Sequence, residues 1–180
     1  MKQKIFLIHN HKDFSGAARS LGELIESLKK KIDFYIICPK GTSSLYFKKI
    51  IPNVLEAKII PRFNHFELGH YQGIRWLLIF RELLAFIYFI YFIIKIKIKF
   101  NSIKQFHLNE LELITCAPLI KILFKSKISS HIRCPIETKR GYIRKKILKF
   151  LCNKFLDKLI AIDKDCYFTS PDKPKTIIIY

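Results

Sequence analysis

Short apolar runs and amphipathic stretches take turns along this chain. Ile5–His9 begins with the run IFLI, suited to a buried parallel strand. From Ala17 onward the apolar positions fall at Ala18, Leu21, Leu24, Ile25 and Leu28, and spacings of three and four predict one helical face. The cycle repeats with a strand at Phe34–Cys38, closed by Pro39 and Gly41. Thr42 or Ser43 suits the cap of a short helix reaching Ile50. Ala57–Ile60 reads as a third strand ended by Pro61, and a polar loop runs on to Gly73. A long apolar helix is predicted over Ile74–Ile94, a strand at Gln105–Leu108 and a helix over Glu110–Lys125. Lys127–Arg133 is a fifth strand, Tyr142–Asp157 a basic helix, and Lys158–Ile162 and Thr176–Tyr180 the last strands. This alternation predicts an α/β fold, a Rossmann-like, mostly parallel sheet with helices on both faces, as one domain over residues 1–180.

In such a sheet ligands bind beyond the carboxyl ends of the strands. The first strand–helix junction carries small residues, Ser15, Gly16 and Ala17, which let a ligand approach a helix N-terminus and its partial positive charge. The same residues also suit a tight turn with no ligand. No G-x-G-x-x-G occurs, which argues against a dinucleotide site. The predicted strand ends gather polar residues on one edge: His9, Asn10 and His11, then His107, Asn109 and Glu110, then His131 and Arg133. Histidine moves protons near neutral pH, and arginine clamps phosphate or carboxylate. No close H-x-x-x-H or H-E-x-x-H spacing is present, so no metal site is expected.

Charge narrows the partners without choosing one. The net charge of +19 in 180 residues suits an anionic membrane surface, a phosphate-bearing ligand or nucleic acid. A coding bias toward Lys, Ile and Phe would produce the same number. RNP, K-homology and zinc-finger patterns are missing, which makes nucleic acid the weaker candidate. Cys38, Cys116, Cys134, Cys152 and Cys166 are scattered, odd in number and without C-x-x-C, as expected of reduced thiols in a cytosolic protein. The opening apolar run is too short for a signal-peptide core.

The segment Trp76–Lys99 is the greasiest. Its uninterrupted apolar stretch, Leu83–Ile94, is 12 residues long, against roughly 20 for a membrane span. A core helix, an interfacial helix with aromatic residues and basic flanks, and a true span are the three placements it admits.

Several short motifs then fall in a familiar order. SGAARSL (Ser15–Leu21) is similar to the GGAERSL that opens the first helix of family 4 glycosyltransferases, enzymes of the GT-B fold. HLNE (His107–Glu110) resembles their H-x-N or H-x-H signature, and SHIR (Ser130–Arg133) a following strand that ends in histidine. AIDKDCYFTSPDKPKTIIIY (Ala161–Tyr180) resembles the stretch before their second domain. The resemblance implies the N-terminal, acceptor-side half of such an enzyme. It gives Ser15 and Gly16 the approach to the donor phosphates, and adds Arg19, Glu110 and Arg133 as substrate-binding candidates. Asn109 takes the place of a histidine near the reacting sugar; as it cannot act as a base, His107 and His131 are left for proton transfer or acceptor positioning. Ser15 and Ala18 depart from the family's glycine and acidic residue. The family's donor-binding half, with its E-x7-E signature, is not among these residues. The implied function is sugar transfer from a nucleotide-sugar to a glycan or lipid-linked acceptor in cell-envelope polysaccharide synthesis. No cofactor is expected in the chain beyond that nucleotide-sugar donor of the complete enzyme. A separate C-terminal domain or chain would complete the site, and this chain alone would be inactive. The expected location is cytoplasmic, peripheral at the inner face of the cell membrane. The competing reading is a non-catalytic basic α/β module that binds membrane or nucleic acid.

Overall fold

Every strand pairing is parallel. The computed structural model describes residues 2–63, 77–101, 103–136 and 142–179. Its strands are β1 (Gln3–Ile8), β2 (Ile32–Pro39), β3 (Val54–Ala57), β4 (Gln105–Leu108), β5 (Lys127–Ile132), β6 (Lys158–Ala161) and β7 (Thr176–Ile178). They form one seven-stranded sheet in the order β3-β2-β1-β4-β5-β6-β7. The order reverses between β1 and β4, where Ile5–Ile8 lie beside Gln105–Leu108. That reversal opens a crevice at the carboxyl edge.

Alternation along β1 explains the two layers. Ile5 and Leu7 pack with helices α1 (Gly16–Leu28) and α2 (Thr42–Ile50), through Leu21, Ile25 and Phe47. Phe6 and Ile8 face the other way, toward α3 (Leu78–Lys99), α4 (Ala117–Phe124), α5 (Tyr142–Phe155) and the short α6 (Lys164–Phe168). Both faces are therefore apolar in the middle of the sheet, as a parallel sheet requires. α1 and α2 approach so closely that a Cβ on Gly22 would lie 2.3 Å from the Tyr46 hydroxyl. At Gly41 the obstacle is backbone, with the Lys12 carbonyl oxygen 2.5 Å from a built Cβ.

Several element bounds differ from the sequence reading. The third strand is Val54–Ala57 rather than Ala57–Ile60; it is an edge strand, and Ile60 instead turns into the core beyond it. The helix expected over Glu110–Lys125 is split into a 3-10 turn at Leu111–Cys116 and then α4. Pro118 in the first turn of α4 fits the new start, because proline lacks the N–H that a helix interior needs. The long helix runs on to Lys99, with Lys97 and Lys99 in its last turn, where cations suit the helix dipole. α6 was not expected; Asp163 caps it by accepting from the Cys166 N–H. The polar loop from residue 64 to Gly73, the helix start at Ile74 and Trp76 lie outside the described residues.

α3 has a buried side and an exposed side. Phe89 and Ile93 are fully buried, whereas Ile87 is 64% exposed. Phe89→Ala should cost roughly 3–5 kcal/mol, the usual range for a buried aromatic. Ile87→Ala should stay within about 0.5 kcal/mol. Urea unfolding of both variants measures the difference; equal losses would mean that the outer side of α3 is covered in the free protein.

Candidate functional site

The carboxyl edge is assembled around Asn109, which follows β4. Its backbone N–H donates to the Ile8 carbonyl at 2.9 Å, extending the β1–β4 ladder by one step. Its side-chain Nδ2 donates to His9 Nδ1 at 3.0 Å and to the Ala17 carbonyl at 3.3 Å. Arg133, just beyond β5, donates to the Asn109 carbonyl at 2.9 Å and to its Oδ1 at 2.8 Å. One buried carboxamide thus ties the end of β1, the start of α1 and the end of β5.

Two groups of chemistry flank this knot. The first is a polar cleft of about 450 Å³, lined among others by Asn10, His11, Ser15, Lys58, Arg62 and Arg81. His11 Nε2 and Glu110 Oε2 sit 2.9 Å apart at its wall. Asn10 Nδ2 donates to Glu112 at 3.2 Å. The loop carrying these residues is held from α2: Ser43 donates to the Asp13 carbonyl at 2.7 Å, and the Phe14 N–H donates to Thr42 Oγ1 at 2.7 Å. Glu82 of α3 accepts from the Arg62 N–H at 2.8 Å and also pairs with Arg81, which fixes the far wall. The second group lies on the sheet face. His107 Nδ1 meets Ser129 Oγ at 2.9 Å, and His107 Nε2 meets His131 Nδ1 at 2.9 Å. A larger cavity, about 640 Å³, lies between α5 and the segment joining α6 to β7. It holds none of the histidines, so volume does not locate the chemistry.

Burial sets the protonation. His9 is fully buried, and desolvation carries its pKa down to about 4 against an ordinary 6.5. Burial likewise takes His107 down to about 3, helped by His131 and Arg133, and His131 down to about 4. All three are neutral at pH 7. His11 goes the other way, because its hydrogen bond to Glu110 outweighs burial and raises it. For Glu110, burial pulls upward, yet the His11 bond and the positive neighbours hold it below the usual carboxylate range. Burial and the charge of Glu110 push Glu112 above that range. The two carboxylates are thereby separated into an ionised one and one that holds its proton more tightly.

The sequence-derived candidates divide accordingly. Ser15 lines the cleft and caps α1 by accepting from the Ala18 N–H at 3.4 Å. Gly16 is exposed at the first turn, and a built Cβ there meets nothing within 4 Å. The fold itself thus places no demand on glycine at this position. Arg19 is exposed on α1, its guanidinium 6.0 Å from the centre of the Phe14 ring. His107, Asn109, His131 and Arg133 come together, but around each other rather than on the cleft wall. Glu110 does reach the cleft through His11. Sequence reasoning missed Glu112, Arg62 and the Arg81–Glu82 pair as parts of the site. A lone acid in the apolar run LELITC was the available signal for Glu112. Among the described residues, no group of three or more His, Cys, Asp or Glu side chains could hold a metal ion.

No family model matches the sequence, and no curated protein matches it. Among solved structures the chain is similar to Anabaena Alr3699/HepE in complex with UDP-glucose, at a TM-score of 0.68 and 12% identity. The likeness extends to HepE in complex with UDP and glucose, at 11% identity, and in complex with UDP, at 13%. It covers 98% of this chain but 43% of HepE, so the chain spans less than half of that protein. The shared feature is the fold, a Rossmann-like sheet matching half of a glycosyltransferase GT-B fold.

The buried histidines give the edge a pH dependence of defined sign. Their depressed pKa values mean that the unfolded chain binds more protons between pH 6.5 and about 4, so stability falls as pH drops through that window. His9 alone should contribute roughly 2 kcal/mol of loss by about pH 4.5. Glu112, with its raised pKa, opposes the trend as acid is added. His11 also works oppositely: the stability from its pairing is present below pH 6.5 and lost as pH rises through its raised value. Histidine NMR titration checks the assignment. Of the six histidines in the sequence, the four at this edge should separate: His11 should titrate above 6.5, and His9, His107 and His131 only in the acid range; uniform titration of these four near 6.5 would contradict the geometry.

Proposed function

We propose that this chain is the acceptor-side domain of a glycosyltransferase of the family 4 type. It would serve the transfer of a sugar from a nucleotide-sugar to a glycan or lipid-linked acceptor in cell-envelope polysaccharide synthesis, at the inner face of the membrane. The observation that carries the reading is the cleft at the reversal of strand order. There the N-terminus of α1, the His11–Glu110 pair and the Arg62 and Arg81 side of the cleft converge. The likeness of fold to a protein crystallised with UDP-glucose supports it.

The roles follow from chemistry. A helix N-terminus offers orphan backbone N–H groups to an anion, and Gly16 stands there with nothing above it. The cationic residues Lys12, Lys58 and Arg62 add attraction for phosphate. His11 holds its proton more tightly than an ordinary imidazole and is backed by an ionised Glu110, which suits it to exchange a proton with an acceptor hydroxyl. His107 and His131 are neutral and orient that edge from the sheet face. Asn109 acts by positioning, since both ends of its carboxamide are bonded within the protein. A second domain or chain would supply the remaining donor contacts, and the chain alone would not turn over.

Amide NMR with UDP-glucose tests the donor contact. The amides of Gly16 and Ala17 should shift, with a Kd on the order of 1 mM, a strength suited to a partial site. Gly16→Ala should leave the melting temperature unchanged or higher, because alanine favours a helix by up to about 1 kcal/mol. The same variant should weaken binding about tenfold by placing a methyl where phosphate approaches. Unshifted amides, or unaltered binding by the variant, would remove the phosphate role from this junction. Incubation with nucleotide-sugars and lipid extracts should give no turnover; robust transfer would overturn the half-site reading.

A further inference from the structure

The outer side of α3 is apolar along its whole length. Leu77, Phe80, Leu84, Ile87, Tyr91, Ile94 and Ile98 follow one another at steps of three and four, and each is between 43% and 79% exposed. The same layer continues onto its neighbours: Ile122 of α4 is 72% exposed, and Ile147 and Phe150 of α5 are 43% and 57% exposed. A row of single apolar side chains on a surface needs no explanation, but a continuous one does.

Charge accompanies this surface and is almost all of one sign. Among the described side chains, α3, α4 and α5 contain Arg81, Lys95, Lys97, Lys99, Lys121, Lys145, Lys146, Lys149 and Lys154, and one acid, Glu82; Lys121 also pairs with Asp157, just after α5, at 2.7 Å. Glu82 is turned toward the Arg62 N–H and Arg81. Lys95 Nζ lies 4.4 Å from the centre of the Tyr91 ring, and Lys154 Nζ lies 5.3 Å from that of Phe150. Cations therefore stand over exposed aromatic rings.

Two occupants can be set against each other. A strict three–four seam also suits a partner helix, including a second copy of this chain. Two copies, however, would set these cations against one another, each beside its duplicate in a parallel pair and Arg81 near Lys95 and Lys97 in an antiparallel one, and like charges beside a seam oppose pairing. A single helix would also leave Ile122 and Phe150 uncovered on the neighbouring helices. A flat, anionic, partly apolar partner satisfies all of these features at once. Among the described residues no helix is long and apolar enough to cross a membrane.

We propose that the outer surface of α3, continued on α4 and α5, is a docking face for an anionic lipid bilayer. α3 lies parallel to the interface, its apolar row enters the headgroup boundary, and the flanking lysines meet lipid phosphates. The N-terminal part of α3 supplies Arg81 and Glu82 to the polar cleft, so docking sets the mouth of that cleft beside the membrane. This assignment stands on the surface alone and does not depend on the chemistry of sugar transfer.

Co-sedimentation of the chain with vesicles decides it. The probes are vesicles of neutral phosphatidylcholine and of phosphatidylcholine with about one third phosphatidylglycerol, across a salt series. Binding should require the anionic lipid and weaken at least tenfold between ~0.1 M and ~1 M salt. The double variant Leu84→Ser, Ile87→Ser should bind about tenfold more weakly while keeping the wild-type melting temperature, since both side chains are exposed. Lys95→Gln should reduce the salt dependence. Absence of binding to anionic vesicles would overturn the proposal, as would a double variant that binds like the wild type. A concentration-dependent dimer in sedimentation velocity that the double variant abolishes would assign the face to a second copy instead.

Discussion

The carboxyl edge of this sheet depends on the Asn109 carboxamide. A buried amide must satisfy a donor end and an acceptor end separately, at a cost of about 1–3 kcal/mol for each group left unpaired. Asn109 is fully buried and meets that demand in two directions. Its oxygen accepts a hydrogen bond from Arg133, and its nitrogen donates hydrogen bonds to His9 Nδ1 and to the Ala17 carbonyl. The orientation of the amide is thereby fixed, and so is the distance between β1, α1 and β5. Because Arg133 also binds the Asn109 carbonyl, its charge is held over the sheet end rather than extended into solvent. The helix N-terminus stands where it does partly because the Ala17 carbonyl is tethered from below. A neutral histidine at residue 109 would offer one donor rather than two, so it could not hold His9 and Ala17 together in this way.

The same desolvation that stiffens the edge sorts its histidines. His9, His107 and His131 are deprived of water and kept neutral, and the His107–His131 pair could accept a second proton only against its own repulsion. His9 has one nitrogen occupied by Asn109, while its Nε2 is buried without a partner. His11 differs in just two respects: it keeps part of its surface in solvent, and it faces Glu110. Those two differences reverse the sign of its shift. Of the four histidines at this edge, one is thus held toward its protonated form and three are neutral, structural or orienting groups.

Much of the fold was legible because parallel sheets advertise themselves. IFLI, FYIIC and QFHL are apolar runs too short for helices, with helical periodicity between them, and each fell at or near its strand. The failures have a common cause, which is that an apolar run does not state what covers it. AKII and VLEA carry equal numbers of apolar residues, so composition does not choose between them; the edge strand forms at VLEA, and Ile60 is drawn into the core. LELITC has helical spacing, but the Phe63 N–H bonds to the Glu112 carbonyl at 2.7 Å, and the segment tightens into a 3-10 turn. IKIKIK alternates like a strand; tertiary packing instead buries Ile96 and leaves Ile94 and Ile98 outside. The site was legible as a list of strand ends, from His9 to Arg133. Its pairing was not, because the His11–Glu110 contact joins residues 99 positions apart and the cleft wall comes from α3.

α3 shows how far composition explains this protein. A bias toward Lys, Ile and Phe accounts for an apolar and basic chain, and it would scatter those residues without regard to face. In α3 the inner positions Ala85, Phe89 and Ile93 are filled to suit the sheet, and a second apolar row keeps its own three–four register outside. A helix that only packed on a sheet would carry polar residues along that outer row, since one apolar stripe suffices to bind it. Lysines occur where the outer row approaches the C-terminus, and Lys95 places its charge over the ring of Tyr91 in that row. The acid that does occur, Glu82, is spent on the cleft wall. One helix thus carries two apolar rows, one packed in the core and one exposed, and bias alone supplies the residue types without supplying that order.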